Sequence, residues 1–364
     1  LTADECDARV ELAKQYTLAG GPYTNMVFPE AKPEEWLSCD QCTDCFKPAF
    51  NYRPKQSAQY ALAISNFEES IESPQRYNFG FIASTDDHTA RPGTGYKQYE
   101  RRKMTFATGV KSKIWEYQYK AEDPSFPEIP KIMPGESQPD SERVSSFVYP
   151  GGILAVHAKG RGKDAIWTAL KNKNVYGTSG PRILLWFDLI NSPEGQAPMG
   201  SEITMSQNPR FIVRAAGSFK QKPGCSNESI DSLSAKRLDY LCAGECYNPS
   251  NQREVIEKIE VIKITPQVYA GEAVSPLIQD PWKSIPCQGK GECIVEFEDQ
   301  DFLRDSVYYV RAIQNPTPAI NGSPLSQRDN FELCKGSFRT DLEDDCLSMT
   351  NERAWSSPIY VDKP

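Results

Sequence analysis

The residues best suited to chemistry in this sequence are Asp86 and His88, which follow a short apolar run. That run, residues 79–84, is rich in aromatic and β-branched side chains and predicts a buried strand. A carboxylate and an imidazole one residue apart, just beyond a strand, can chelate one divalent metal. His88 is one of only 2 histidines in 364 residues, so such a site needs ligands from elsewhere. The alternative is a turn in which Asp86 caps the backbone and His88 is merely polar.

A second set of residues is suited to binding an anion. Thr178 and Ser179 lie in a turn before a predicted strand, where free backbone N–H groups could face a phosphate. Arg182 suits bidentate binding of an oxyanion, although an ion pair within the fold is the alternative. Arg91 and Lys97 follow the candidate metal ligands closely and could steer an anionic substrate towards them.

The 11 cysteines predict disulfide bonds and an oxidising compartment, either the periplasm or the cell exterior. Three pairs are close together in loop-like sequence: Cys242 with Cys246, Cys287 with Cys293, and Cys334 with Cys346. Cys39, Cys42 and Cys45 have a spacing that zinc or an iron–sulfur cluster could use. Because so many other cysteines are present, we favour disulfides for Cys42 and Cys45 too.

Composition and charge argue against several classes of protein. A net charge of −8 with no basic stripe argues against nucleic acid as a partner. The longest apolar stretches, such as residues 183–190, are far too short to cross a bilayer. A hydrophobic content of 39% is typical of a globular protein, and the length allows two domains. No signal segment precedes the fold, so we expect a processed form or a fragment.

The elements that must position these residues change in character along the chain. Before the turn at Thr178, we predict a strand over 151–158 and a helix over 164–174; a further strand follows over 182–189. His157 ends the first strand, and we interpret it as a polar strand-end residue rather than a ligand. Beyond about residue 195, short strands separated by turns and cysteines indicate a β-sandwich. Those strands are predicted at 210–216, 255–264, 293–297, 306–313 and 358–361.

Four blocks of the sequence resemble a large bacterial family of proteins of unknown function, number 3604. That family is related to the PHP (polymerase and histidinol phosphatase) metal-dependent phosphoesterases. The first block, residues 82–97, contains the Asp-x-His motif. The others are residues 150–170, 175–183 and 353–359.

This resemblance implies a distorted α/β barrel with a two- or three-metal centre at the C-terminal ends of its strands. On that basis Asp86 and His88 match the last ligand motif of the superfamily. The upstream His-x-His and the other histidine-bearing motifs have no counterpart in this sequence. We therefore expect this chain to be the C-terminal part of a longer protein, with the missing N-terminal half as its partner.

Taken together, the sequence predicts an α/β plus β fold. Residues 1–195 are interpreted as the C-terminal part of a PHP-like α/β domain, and residues 196–364 as a disulfide-stapled β-sandwich. The expected function is metal-dependent hydrolysis of a small anionic ester, a phosphoester above all, with zinc, manganese or iron as the divalent metal. The alternative is a non-catalytic, disulfide-stabilised binding or structural protein outside the cytoplasm.

Overall fold

The structure is a computed structural model and describes residues 57–84, 152–320 except residue 243, and 347–364, together with isolated residues between 2 and 11. Several sequence predictions lie outside the described residues: Asp86, His88, Arg91, Lys97, Cys42, Cys45, Cys334 and Cys346. The described part is mostly β-sheet with few helices.

The strands and helices are numbered here in chain order. The strands are β1 (Ser65–Asn66), β2 (Gln75–Arg76), β3 (Ile153–Val156), β4 (Val175–Thr178), β5 (Leu184–Ser192), β6 (Gly195–Pro198), β7 (Glu202–Thr204), β8 (Arg210–Ala216), β9 (Phe219–Gln221), β10 (Pro249–Arg253), β11 (Ile256–Ile264), β12 (Ile278–Pro286), β13 (Glu292–Glu298), β14 (Ser306–Ile320), β15 (Leu347–Ser356) and β16 (Ile359–Asp362). The helices are α1 (Ala58–Ala63), α2 (Lys163–Lys171), α3 (Asn227–Ser232) and α4 (Ala235–Cys242), with a short 3-10 helix at Ser275–Leu277.

Two sheets make up most of the described part. The larger has eight strands in the order β12-β11-β14-β15-β4-β3, with β16 paired to β14 and β7 paired to β16. The smaller has four strands in the order β13-β8-β5-β6. Among the described strand pairs, only β7 with β16 is parallel.

The core lies between these two sheets and follows from alternation along the strands. In β8, Phe211 and Val213 point inwards and are buried, whereas Arg210 and Arg214 point to solvent. The ring of Phe211 lies 5.3 Å from that of Phe187 on the same sheet and 4.7 Å from that of Tyr308 on the facing sheet, measured between centroids. Aromatic burial therefore joins the two layers of a β-sandwich.

The strands predicted beyond residue 195 are confirmed, and 210–216 has the predicted bounds. The expected α/β arrangement before residue 195 differs from the described part, where β3 pairs antiparallel with β4 in the larger sheet. The backbone N–H of His157 donates to the carbonyl of Asn174 at 2.9 Å, so the connection through α2 leaves β3 and enters β4 at the same end of the two strands. Neighbouring strands that are connected at the same end run antiparallel. Strands from both sides of residue 195 share the sheets, and the division into two domains stays a prediction.

Two disulfides lie in the described part. The predicted bond between Cys287 and Cys293 is confirmed. The prediction that Cys246 forms a disulfide is confirmed, with Cys225 as its partner. The prediction that Cys242 also forms one is corrected, because Cys242 takes part in neither of these disulfides. The sequence left the partner of Cys246 open, and the fold brings it to Cys225, 21 residues away along the chain, rather than to the nearer Cys242. No helix in the described ranges is long and apolar enough to cross a membrane.

Candidate functional site

The segment that leads to the Asp-x-His motif, residues 79–84, is held at Phe79 and Phe81 by hydrogen bonds to side chains. Phe79 donates its N–H to the hydroxyl of Tyr360 at 2.8 Å, and that hydroxyl donates to the carbonyl of Phe79 at 2.7 Å. The N–H of Phe81 donates to Ser357 Oγ at 3.0 Å. The predicted strand over 79–84 is therefore wrong, since the segment joins no sheet. Its aromatic residues gave the appearance of a strand because Phe79 and Phe81 pack on a buried apolar cluster.

The end of this segment fits against two glycines. A Cβ atom added at Gly152 would lie 2.7 Å from Ala83 Cβ, and one added at Gly177 would lie 2.8 Å from the same atom. Real Cβ atoms do not approach each other so closely, so Ala83 can occupy this position only because both neighbours are glycine. Gly152 also donates its N–H to the carbonyl of Ser84 at 3.0 Å, which fixes the point where the chain continues towards the motif.

The predicted anion-binding turn begins where β4 ends. The N–H of Ser179 donates to the carbonyl of Arg353 at 2.9 Å, and that of Gly180 donates to Thr178 Oγ1 at 3.2 Å. Ser179 Oγ donates to the buried carboxylate of Glu352 at 2.5 Å and accepts the N–H of Arg353 at 2.8 Å. The backbone donors that a phosphate would need at Ser179 and Gly180 are thus used within the fold.

These contacts bring the four family-like blocks to one place. Ala83 belongs to the first block, Gly152 to the second, Gly177–Ser179 to the third, and Arg353 to the fourth. Thr178 of β4 lies opposite Ala354 of β15 in the ladder, next to the Ser179–Arg353 contacts. We call this group of residues, together with Glu352, the junction. Segments that are far apart in sequence meet here through close backbone packing rather than large side chains.

Arg182 follows Ser179 by three residues, and its guanidinium lies over an aromatic ring. Its guanidinium carbon is 3.9 Å from the centroid of the Tyr247 ring. Stacking uses the face of the guanidinium plane, whereas its N–H donors lie along the edge of that plane. For Arg182 the sequence suggested either oxyanion binding or an ion pair within the fold, and it did not predict this cation–π contact.

His157 follows directly on the last residue of β3, close to the strand end that the sequence predicted. Its Nε2 donates to the carbonyl of Leu185 at 2.8 Å, so the imidazole joins the end of β3 to β5. The His157 ring also lies 5.3 Å from that of the buried Tyr176, between centroids. Burial raises the pKa of Tyr176 to about 12, so this phenol stays protonated and neutral at physiological pH.

An ion pair lies on the other side of the 79–84 segment. Lys173 Nζ contacts Glu202 Oε1 at 2.5 Å, and the Lys173 stem lies directly beside Gly80. The hydrogen bond from Lys173 holds the pKa of the Glu202 carboxyl below its usual range. Asn78 donates to the same carboxylate at 2.9 Å, so the pair also ties the start of the segment to the sheet.

The described residues supply one group of side chains that could hold a metal, and it is not at the junction. Cys225, Cys242 and Cys246 have sulfur atoms all within 4.8 Å of one another. Within the described ranges, no other three His, Cys, Asp or Glu side chains converge in this way.

The family described as Protein of unknown function (DUF3604) matches residues 67–222 and 284–363, which is more than half of the chain. The chain belongs to this family. The junction lies within the two ranges that match DUF3604, whereas residues 223–283, with the three clustered cysteines, lie between them. The relationship of the DUF3604 family to PHP enzymes stays a prediction. No curated protein and no solved structure matches the chain.

Sequence reasoning missed two residues of this site. Glu352 precedes the fourth block by one position, and its burial within β15 is unusual for a carboxylate, but its partner Ser179 is 173 residues away. Tyr247 follows Cys246 directly, in a segment with no strong periodicity. The only available signal was its position beside a cysteine that would be fixed by a disulfide.

Proposed function

We propose that this member of the DUF3604 family is part of a metal-dependent hydrolase that acts on a small anionic ester, with a phosphoester as substrate. Asp86 and His88 would hold a divalent ion of zinc, manganese or iron. The observation that carries the proposal is the junction, because the four blocks that resemble the DUF3604 family meet where the chain continues towards Asp86 and His88. The enzyme would act in the periplasm or outside the cell.

The close packing of Ala83 supports this proposal for a physical reason. A metal ligand must be held within a fraction of an ångström, and the most precise supports are packed backbone segments. Ala83 packs on Gly152 and Gly177 with no room for a further methyl group. Asp86 comes two residues after Ser84, the residue whose carbonyl is fixed by Gly152.

A bound divalent ion would lower the pKa of a coordinated water and stabilise charge that develops on the ester oxygens. The chain itself would contribute the anion contacts. Because the amides of Ser179 and Gly180 are used internally, we assign anion binding to Arg182, with Arg91 and Lys97 steering the substrate. The Tyr247 ring would hold the Arg182 guanidinium in a fixed plane.

The alternative function is a non-catalytic, disulfide-stabilised binding or structural protein. It is favoured by the internal use of the turn's N–H groups and by a described fold that is mostly β-sandwich with two disulfides. In that case the junction would only join the 79–84 segment to the sheet, and no metal would be retained by Asp86 and His88.

Metal retention and ester hydrolysis separate these functions. The protein is incubated with zinc, manganese or ferrous ion, desalted, and assayed for metal content and for hydrolysis of nitrophenyl phosphate mono- and diesters. We expect His88→Ala and Asp86→Asn to weaken metal binding by at least about tenfold. His157→Gln is the matched control, because an amide can replace the donor to the Leu185 carbonyl and metal binding should persist.

Each result has a defined meaning. Metal that is lost in His88→Ala but kept in His157→Gln supports the assigned ligands, and hydrolysis that follows the same pattern supports the enzyme. Because the expected site needs ligands beyond Asp86 and His88, residues 1–364 by themselves should lack full hydrolase activity, and robust hydrolysis by them that is lost in His88→Ala would show that this chain is self-sufficient. Full-length protein that retains no metal and hydrolyses neither ester contradicts the hydrolase and favours the alternative. Metal binding that is unaffected by both Asp86→Asn and His88→Ala removes these residues as ligands.

A further inference from the structure

The feature behind this inference is a small two-helix unit, residues 223–248, which contains α3 and α4. It lies in the stretch between the two ranges that match the family. Its buried cluster consists of Leu238 and Cys242, with Cys225 and Cys246 packed against them. An apolar core of this size is too small to hold a unit of chain by itself, so sulfur chemistry must contribute to its stability.

Three sulfur atoms meet inside this unit. Cys225 and Cys246 form the disulfide, and the Sγ of the buried Cys242 lies 3.6 Å from that of Cys225. Cys242 is the last residue of α4, and its thiol donates to the carbonyl of Leu238 at 3.1 Å. A thiol in van der Waals contact with a disulfide is the arrangement from which thiol–disulfide exchange begins.

We propose that Cys225, Cys242 and Cys246 form a thiol–disulfide exchange site. The thiolate of Cys242 attacks Cys225 Sγ; the Cys242–Cys225 bond forms and the Cys225–Cys246 bond breaks. The electron pair of the broken bond stays on Cys246 Sγ, which takes up the proton that Cys242 released to solvent. The step is neutral in electrons and needs no external oxidant or reductant.

The exchange requires a local rotation of the side chains. The three sulfurs lie within 4.8 Å of one another and form a triangle, whereas displacement at sulfur proceeds with the three atoms in line. Gly244 lies between Cys242 and Cys246 and has a φ of +78°. It belongs to the short turn that joins the end of α4 to Cys246. The attack therefore starts from contact but depends on movement of this short turn.

A metal site made of the same three residues is the competing possibility. Zinc would need three thiolates, whereas two of these sulfurs are bonded to each other in the structure. A trithiolate site would thus first require a two-electron reduction by an external thiol. Exchange uses the atoms in the state in which the structure has them, and for this reason we favour it.

Exchange would change what is attached to Tyr247. Cys246 immediately precedes Tyr247, whose ring stacks on the guanidinium of Arg182 at 3.9 Å. When Cys246 carries a thiol, the Tyr247 segment loses its covalent connection to Cys225. The disulfide state of Cys246 can therefore influence Arg182 through Tyr247, which is joined to Cys246 by a peptide bond and contacts Arg182 through its ring.

The test is disulfide mapping of the whole chain by mass spectrometry. Protein is held at mildly alkaline pH, quenched with acid and an alkylating reagent, and digested without reduction. In the wild type we expect the Cys225–Cys246 peptide together with a minor Cys225–Cys242 peptide. In Cys246→Ser treated with oxidised glutathione, which supplies the two-electron oxidation that two thiols need, we expect most molecules to carry Cys225–Cys242; in Cys242→Ser we expect only Cys225–Cys246. The Cys287–Cys293 peptide in each digest is the internal control.

Two outcomes overturn the proposal. One is Cys246→Ser protein in which Cys225 and Cys242 both remain alkylatable thiols after treatment with oxidised glutathione, because this would show that the two sulfurs do not form a bond with each other. The other is retention of zinc by the three cysteines in the protein as isolated, detected by intact mass. If Cys246→Ser does not fold, the wild type decides: the Cys225–Cys242 peptide accumulates with incubation time, or the idea fails.

Discussion

The interior of the sandwich and the junction solve different problems with different residues. Between the sheets, Phe187, Phe211 and Tyr308 form a dry aromatic layer with ring centroids 4.7 to 5.3 Å apart. At the junction, Ala83 lies on Gly152 and Gly177, and hydroxyl groups satisfy the backbone. The first region buries much apolar area, and the second buries little.

This difference indicates which property each region controls. Apolar burial is the main favourable term in folding, so the aromatic layer should decide whether the protein is stable. Close contact between glycine and alanine adds little burial but leaves only one position for the chain. The junction should therefore decide where the 79–84 segment ends, and with it where the Asp-x-His motif begins.

The largest expected effect comes from the aromatic layer. Phe211→Ala removes a fully buried ring that contacts both sheets and should lower the free energy of unfolding by about 3–5 kcal/mol. Urea unfolding followed by circular dichroism measures this change. Ile294→Ala is the control: Ile294 is 64% exposed on the same sheet, and its loss should cost less than about 0.5 kcal/mol. Equal costs for the two variants would mean that the aromatic layer is not the stabilising core.

A medium effect is expected at the junction. Gly177→Ala places a methyl group 2.8 Å from Ala83 Cβ and should cost about 1–3 kcal/mol, because the 79–84 segment must move. Hydrogen exchange should also become faster at Phe79 and Phe81. Gly160→Ala is the matched control, since a Cβ atom added at Gly160 would lie 3.9 Å from the nearest heavy atom. A Gly177→Ala protein with unchanged stability and exchange would show that the junction does not constrain the segment.

The smallest effect concerns the ion pair beside the junction. The pKa of Glu202 is lowered by its hydrogen bond from Lys173, so its stabilising contribution is complete above its ordinary value of 4.5. That contribution is lost as the pH falls through the lowered pKa of the folded protein. The unfolding free energy of the wild type should exceed that of Glu202→Gln by about 0.2–1 kcal/mol at neutral pH, a difference that vanishes in acid.

The control for this pair is on the other sheet. A carboxylate oxygen of Glu296 lies 3.8 Å from a guanidinium nitrogen of Arg210, and both side chains are exposed. Glu296→Gln therefore measures the effect of removing an ordinary surface carboxylate. A pH profile of Glu202→Gln that matches that of Glu296→Gln would remove any special role for the Lys173 contact. Both profiles come from denaturant titrations at a series of pH values.

The sequence predicted the sandwich strands well because their pattern is local. The alternation of the inward Phe211 and Val213 with Arg210, Ile212 and Arg214 is visible within seven residues of β8. The same kind of pattern could not predict whether β3 and β4 pair parallel or antiparallel, because this depends on the end of the strands to which the chain returns after α2. Antiparallel pairing is fixed by a contact between His157 and Asn174 that no periodicity reveals.

The junction was less predictable for the same reason. The run at 79–84 has the composition of a strand, but its hydrogen-bond partners are the hydroxyls of Tyr360 and Ser357, more than 270 residues away. The partner of Cys246 was also beyond sequence reasoning, since spacing does not determine disulfide connectivity. What the sequence did supply was the set of blocks that meet at the junction.

The hydroxyl contacts of Tyr360 and Ser357 have a consequence for the order of events during synthesis. The residues that hold Phe79 and Phe81 are made 281 and 276 positions later, so the ribosome exposes this segment long before its supports exist. At a rate of about 5–20 residues per second, the wait is on the order of 15–60 seconds. The four strands of the smaller sheet are complete by Glu298 and can pair during that time, while the start of the Asp-x-His region stays open to chaperones and proteases.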